Sequence, residues 1–185
     1  MLSRFRITLL AIAGVLLVAG LLWLASPAVD YDPKTLFGIV VRVPDGDTIV
    51  LQGQAQQEYT VRLEGISAPE PRQPYGEKAT DALNTLVAGK QVRVEWNKKD
   101  PYGRIVGDVY LPNPDAESGE SADIWLNLRL IETGGAWHFK SYDKRDALAE
   151  AEQQARTEKV GLWAEANPEP PWEFRKRARK PRKSQ

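Results

Sequence analysis

Three short patches hold the side chains capable of concerted polar chemistry: Pro44-Asp45-Gly46-Asp47-Thr48, then Arg62-Leu63-Glu64-Gly65-Ile66-Ser67-Ala68-Pro69-Glu70, then Asp100-Pro101-Tyr102-Gly103-Arg104. Between them they offer a carboxylate for a hard cation, another for a water molecule, and two guanidiniums for a phosphate, the set that metal-assisted phosphodiester cleavage needs. Composition removes the competing chemistries. The chain has no cysteine and one histidine, His138, which excludes disulfides, thiolate metal sites, a cysteine nucleophile and a multi-histidine zinc site. Carboxylates and arginines remain.

Each patch also has a structural reading. Asp-Gly is favoured in hairpin turns whatever its function. A calcium site, however, draws oxygen ligands from separate segments, so Asp47 is the candidate metal ligand and Asp45 either supports it from behind or forms the turn. Arg62 lies near the end of an otherwise apolar strand, where a cation needs an anion or water. Glu70 follows Pro69, which restricts the backbone at Ala68 and helps to direct the carboxylate. Arg104 opens a strand beyond Tyr102-Gly103. Two arginines can each pair with phosphate oxygens and stabilise the charge of a pentacoordinate transition state, for which lysine is a poor substitute.

The elements that must carry these residues are legible from periodicity. Runs 37–43, 48–52 and 58–63 are rich in β-branched and aromatic residues and are separated by turn residues, which predicts a meander of strands. Over 76–88, Ala79, Ala82, Leu83, Leu86 and Val87 recur at helical spacing and Gly89 follows as a stop. Strands are expected again over 91–96 and 104–111, an exposed loop over 112–121, and helices over 124–132 and 144–159. This order suits a small barrel packed on helices. Trp137 reads as core, and His138 is left outside the site.

The 185 residues suffice for one domain with appendages. With 25 basic and 25 acidic side chains the formal charge is zero, but its distribution is uneven: residues 172–185 hold seven basic side chains against Glu173 alone. The Pro-rich stretch from 166 is expected to end regular structure and to lead into a basic tail that would meet a polyanion first. At the other end, 7–26 is a run of twenty uncharged residues, which as a helix rises about 30 Å and matches a bilayer core. Arg4 and Arg6 precede it and Asp30 and Asp32 follow, so the N-terminus (1–6) is expected in the cytoplasm and the remainder outside, periplasmic or extracellular. A signal peptide cleaved near Ser26-Pro27-Ala28 is the competing reading, and would leave the domain secreted. The expected division is therefore 1–6, anchor 7–26, linker 27–35, folded domain 36–165 and tail 166–185.

With these patches in this order, the stretch 37–163 resembles the staphylococcal nuclease family, the thermonucleases. The resemblance implies an α+β fold, a five-stranded OB-fold barrel packed against about three helices, here preceded by the transmembrane helix. It also implies calcium dependence and cleavage of DNA or RNA. It carries Asp47 over as a calcium ligand, Glu70 as the group that activates the attacking water, and Arg62 and Arg104 as the phosphate-binding arginines. Tyr102 and Tyr142 match the tyrosines flanking the nucleotide pocket. At one position the chain departs from the pattern: where the family has a second carboxylate ligand, this sequence has Ser67. A hydroxyl is still a neutral oxygen donor, and the Ala68 carbonyl is a further one, so calcium is expected to bind weakly, in the ~10⁻⁴–10⁻³ M range. The expected partners are nucleic acid and, through 7–26, a membrane; no protein partner is inferable. The alternative is an OB-fold module that grips single strands with little or no turnover.

Overall fold

The computed structural model describes residues 34–112 and 123–179; the anchor 7–26, most of the linker, the loop 113–122 and residues 180–185 lie outside the described residues. In chain order the elements are β1 (Thr35–Asp45), β2 (Thr48–Gln52), β3 (Glu58–Leu63), β4 (Ile66–Ser67), α1 (Gly76–Val87), β5 (Gln91–Lys99), β6 (Ile105–Leu111), β7 (Ile124–Trp125), α2 (Leu126–Glu132), β8 (Trp137–His138), α3 (Asp146–Glu158) and α4 (Pro171–Arg179). Among the described residues no helix is long and apolar enough to cross a membrane.

Five strands close into a barrel. β1 pairs antiparallel with β2 and β5, β2 with β3, and β5 with β6, and a parallel β3–β6 pairing seals the ring. This is OB-like connectivity, and closure leaves the barrel strands without an open edge. β1 runs longer than the predicted 37–43 because two register shifts, between Val40 and Arg42 and between Arg42 and Asp45, bend it past Pro44. Inside, alternate residues such as Val61 and Leu63 of β3 and Val109 and Leu111 of β6 pack with Leu83 of α1 and Leu130 of α2. Burying each such side chain contributes about 1.5–3 kcal/mol.

Two expectations need correction. The helix predicted from 124 begins at Leu126, because Ile124-Trp125 pairs with Tyr110-Leu111 as β7. The described residues also hold four α-helices rather than about three, the fourth being α4 in the stretch read as an irregular tail. Pro171 stands at its first position, where a missing N–H costs nothing. Trp172 stacks on Phe139 with ring centroids 5.2 Å apart at 8°, and meets Trp137 edge-on at 5.6 Å. Aromatic packing holds this otherwise charged helix. Trp137 is core, as expected, in T-shaped contact with Trp163 at 4.4 Å, and His138 is buried beside it.

The parallel seam is pinned from below by one buried polar residue. Asn127 of α2 accepts the Val109 N–H at 2.9 Å and donates to the carbonyls of Glu64 and Gly107 at 2.8 and 3.3 Å. Wholly buried and fully engaged, it ties α2 to both strands that carry the candidate site.

Candidate functional site

Asp47 occupies the turn between β1 and β2, buried against the next segment of the site. Gly46 explains how closely this turn approaches: a Cβ there would lie 2.7 Å from the Ala68 Cβ and 2.9 Å from that of Ala79 in α1. The turn is set by Asp45, whose Oδ1 accepts the Asp47 N–H at 3.1 Å, as sequence reading expected of it. The Asp47 carboxylate then accepts the Ala68 N–H at 2.8 Å and the Thr48 hydroxyl at 3.3 Å, and pairs with Arg62 at 3.0 Å. Burial nevertheless dominates and, against the pull of Arg62, pushes the Asp47 pKa up to about 6.

Arg62 alternates with Val61 and Leu63 along β3, so it points away from the core. Its Nη1 donates to the carbonyls of Leu63 at 2.9 Å and Asp47 at 3.4 Å, and its Nη2 to that of Ile66 at 2.9 Å. Much of its guanidinium is thus committed to holding the Asp47 turn and the β3–β4 bend. Arg104 is arranged differently. Asp100 accepts its Nε at 2.6 Å and its backbone N–H at 3.0 Å, while Nη1 and Nη2 have no hydrogen-bond partner among the described residues. Although burial pushes the Asp100 carboxyl up, the hydrogen bonds from Arg104 and Tyr102 hold it below its usual value. The Arg104 fork is therefore oriented and left open for an anion.

Arg62 and Arg104 line the same cleft, of about 460 Å³, together with Lys98, Lys99, Phe139 and Tyr142. Lys98 is paired with Glu64 at 2.6 Å, whereas Lys99 has no ion-pair partner among the described residues. Sequence reading missed both lysines. Their signal was present, two consecutive cations just before Asp100, but charges at a strand end are ordinarily a solvated face. Tyr142 is exposed on the cleft rim. Tyr102 instead lines a neighbouring depression of about 330 Å³ on the other side of Arg104, so the two tyrosines do not share one pocket.

Ser67 and Ala68 stand beside the Asp47 node, and Glu70 follows without lining the cleft. The Ser67 Oγ is wholly buried and lacks a hydrogen-bond partner. An orphaned buried oxygen one residue before the Ala68 N–H that Asp47 accepts fits a hard cation, as does a donor set made of oxygens alone. Among the described residues no three or more histidine, aspartate or glutamate side chains gather, so such a cation would rest chiefly on Asp47, whose charge is shared with Arg62, with Asp45 as the neighbouring carboxylate. Glu70 is partnered from a distant part of the chain: Arg175 of α4 reaches its Oε1. Sequence reading did not anticipate that contact.

A family model described as staphylococcal nuclease homologue matches residues 60–165. An uncharacterized endonuclease of Escherichia coli is 39% identical over 142 residues, covering 77% of this chain and 86% of that protein. Probable staphylococcal-like nuclease CAN2 of Oryza sativa subsp. japonica is 40% identical over 126 residues, 68% of this chain and 32% of that protein. Staphylococcal-like nuclease CAN1 of Arabidopsis thaliana is 42% identical over 123 residues, 66% of this chain and 35% of that protein. The chain spans about a third of the length of these plant relatives and most of the length of the bacterial one.

Proposed function

The chain belongs to the staphylococcal nuclease homologue family, and on that premise we propose that it is a nuclease hydrolysing phosphodiester bonds of DNA or RNA, with calcium as its cation. The observation that carries this is the cleft in which the open Arg104 fork stands with Arg62 and Lys99 close to the buried Asp47 node. Arg104 holds two phosphate oxygens and stays paired to them as charge accumulates at phosphorus. Arg62 contributes its charge and shapes the wall, and Lys99 adds an unneutralised cation that draws the polyanion in. Glu70 removes a proton from the attacking water. Asp47, Ser67 Oγ and the Ala68 carbonyl would hold the calcium, which when bound polarises the phosphate. Tyr142 stacks on a base at the rim, and Tyr102 contacts the strand beyond Arg104.

The run 7–26 supports a further part of the reading, a membrane-held enzyme with its nuclease domain outside the cytoplasm, where millimolar calcium suits a weak site. A cleaved leader would release the same domain, and the mass of the mature N-terminus separates the two.

The test is incubation of the full chain with single-stranded DNA in millimolar calcium or in chelator. Products form only with calcium, and Ser67→Asp, which restores a second carboxylate, tightens calcium binding about tenfold or more by calorimetry. No products in either condition would end the enzyme reading. One observation favours the alternative of a binding module with little turnover, the lack among the described residues of a cluster of three or more carboxylates or histidines that would hold a cation firmly. It predicts salt-sensitive DNA binding without products and indifference to Glu70→Gln.

Proton and cation compete at Asp47. The native carboxyl keeps its proton up to about pH 6, against an ordinary value of 3.8. Stability lent by that proton is present below about pH 4 and is lost as pH rises through about 6. Calcium takes only the ionised form and acts in the opposite sense. Differential scanning calorimetry should therefore show a calcium-induced rise in Tm at about pH 7.5 that disappears at about pH 5. An equal rise at both would mean that Asp47 is not a ligand.

A further inference from the structure

The residues matched to the family end at 165, yet the one side chain among the described residues that pairs with the Glu70 carboxylate comes from residue 175. We infer that Arg175 is a positioning residue for the proposed reaction: carried in by the docked helix α4, it holds one carboxylate oxygen of Glu70 and leaves the other to face the attacking water. The inference rests on the reading of this chain as a nuclease with Glu70 as its base.

Four observations support it. The contact is one-sided. Arg175 Nη1 reaches Oε1, while Oε2 has no partner among the described residues and so keeps its lone pairs for a proton. Both side chains are about one-third exposed, 35% for Arg175 and 33% for Glu70, which leaves room for a water molecule and for substrate.

The helix that delivers Arg175 is fixed. Trp172, one turn earlier, stacks on Phe139, and Phe139 lines the cleft with Tyr142 against it at 4.7 Å. The Gln73 amide also donates to the carbonyl of Glu169 just ahead of α4. A helix held by ring stacking and a hydrogen bond on two sides is packed behind a residue of the cleft wall, and that packing fixes where Arg175 stands.

The backbone under Glu70 is fixed as well. Its N–H donates to Gln73 Oε1 at 3.1 Å, and its carbonyl accepts the Gln73 N–H at 2.8 Å. Gly76 permits this tight winding, since a Cβ there would lie 1.9 Å from the Glu70 carbonyl oxygen. With the main chain set, the remaining freedom of Glu70 is in its side-chain torsions, and an arginine held from outside removes it. A general base must sit within hydrogen-bond reach of the proton it takes, and a displacement of about 1 Å can cost on the order of 10²-fold in rate.

The experiment measures kcat and KM of the full chain on a single-stranded DNA oligonucleotide for Arg175→Ala, Arg175→Lys and Glu70→Gln, with a melting curve for each. Arg175→Ala is expected to lower kcat about tenfold with KM nearly unchanged, and Arg175→Lys to recover part of the loss. If the alanine variant melts lower, Arg175→Gln, which keeps length without charge, is read in its place. A rise in kcat would show that Arg175 masks the base and overturn the inference. So would a rise in KM alone, which would make Arg175 a phosphate contact, or wild-type values for both constants. Wild-type turnover in Glu70→Gln would instead overturn the assignment of the base itself. Loss of turnover in Glu70→Gln beside a normal Arg175→Ala would sink only the role of Arg175.

Discussion

Glu70→Gln is expected to lower kcat on single-stranded DNA by about 10²–10⁴-fold, the usual contribution of a placed general base, while the fold survives unchanged. Glutamine keeps the length and the Oε1 acceptor that Arg175 uses, so α4 stays docked through both that contact and Trp172. What disappears is the basic oxygen facing solvent. The lost ion pair is one-third exposed, and pairs of that kind are worth about 0–1 kcal/mol, so Tm should move by only a few degrees. The signature is thus a loss of rate at constant stability and nearly constant KM, read from steady-state kinetics beside a thermal melt. Retained turnover would remove Glu70 from the chemistry and return the site to the binding-module reading.

Arg62 and Arg104 look interchangeable in the primary structure, as two arginines each ending or opening a strand, but their variants should separate cleanly. Arg62→Ala removes the ion-pair partner of a buried carboxylate and the donor to the carbonyls of Leu63 and Ile66. Breaking a buried pair from one side costs about 3–5 kcal/mol, on the order of 10 °C in Tm for a domain of this size. Since Asp47 can relieve its isolation by taking a proton, the loss should shrink below about pH 6. Arg104→Ala breaks only a partly exposed pair with Asp100, so its stability cost is about 0–1 kcal/mol. Its rate cost should be about 10²–10³-fold, that of a charge-stabilising donor pair. Chemical denaturation and turnover measured on both variants check the separation. Equal Tm losses would mean that the Asp47–Arg62 node is more solvated than its geometry implies.

The barrel and α1 were readable because strands and helix each bury one face, and their apolar spacing records it: Val92 and Val94 on β5, Ala79, Leu83 and Val87 on α1. The helix α4 was not readable. Its composition, a Pro-rich approach and a run of cations, is that of a solvated tail, and its stability comes from Trp172 against Phe139, a contact between residues 33 positions apart. Lys98 and Lys99 escaped notice for the same reason, as charges whose meaning depends on what faces them.

The order of residues was enough to name a candidate set, because carboxylates, arginines and a Gly-dependent turn have intrinsic chemistry that no fold changes. It also exposed the missing charge at Ser67. It did not distinguish the two arginines, or the two tyrosines, from each other. That Arg62 spends its donors on carbonyls while Arg104 keeps its fork open, that Tyr102 and Tyr142 fall on different sides, and that Glu70 has a partner in α4 are matters of hydrogen-bond geometry and burial. Those arise only when barrel closure and aromatic docking bring distant segments to within a few ångströms, where a donor can satisfy one acceptor only by being withheld from another.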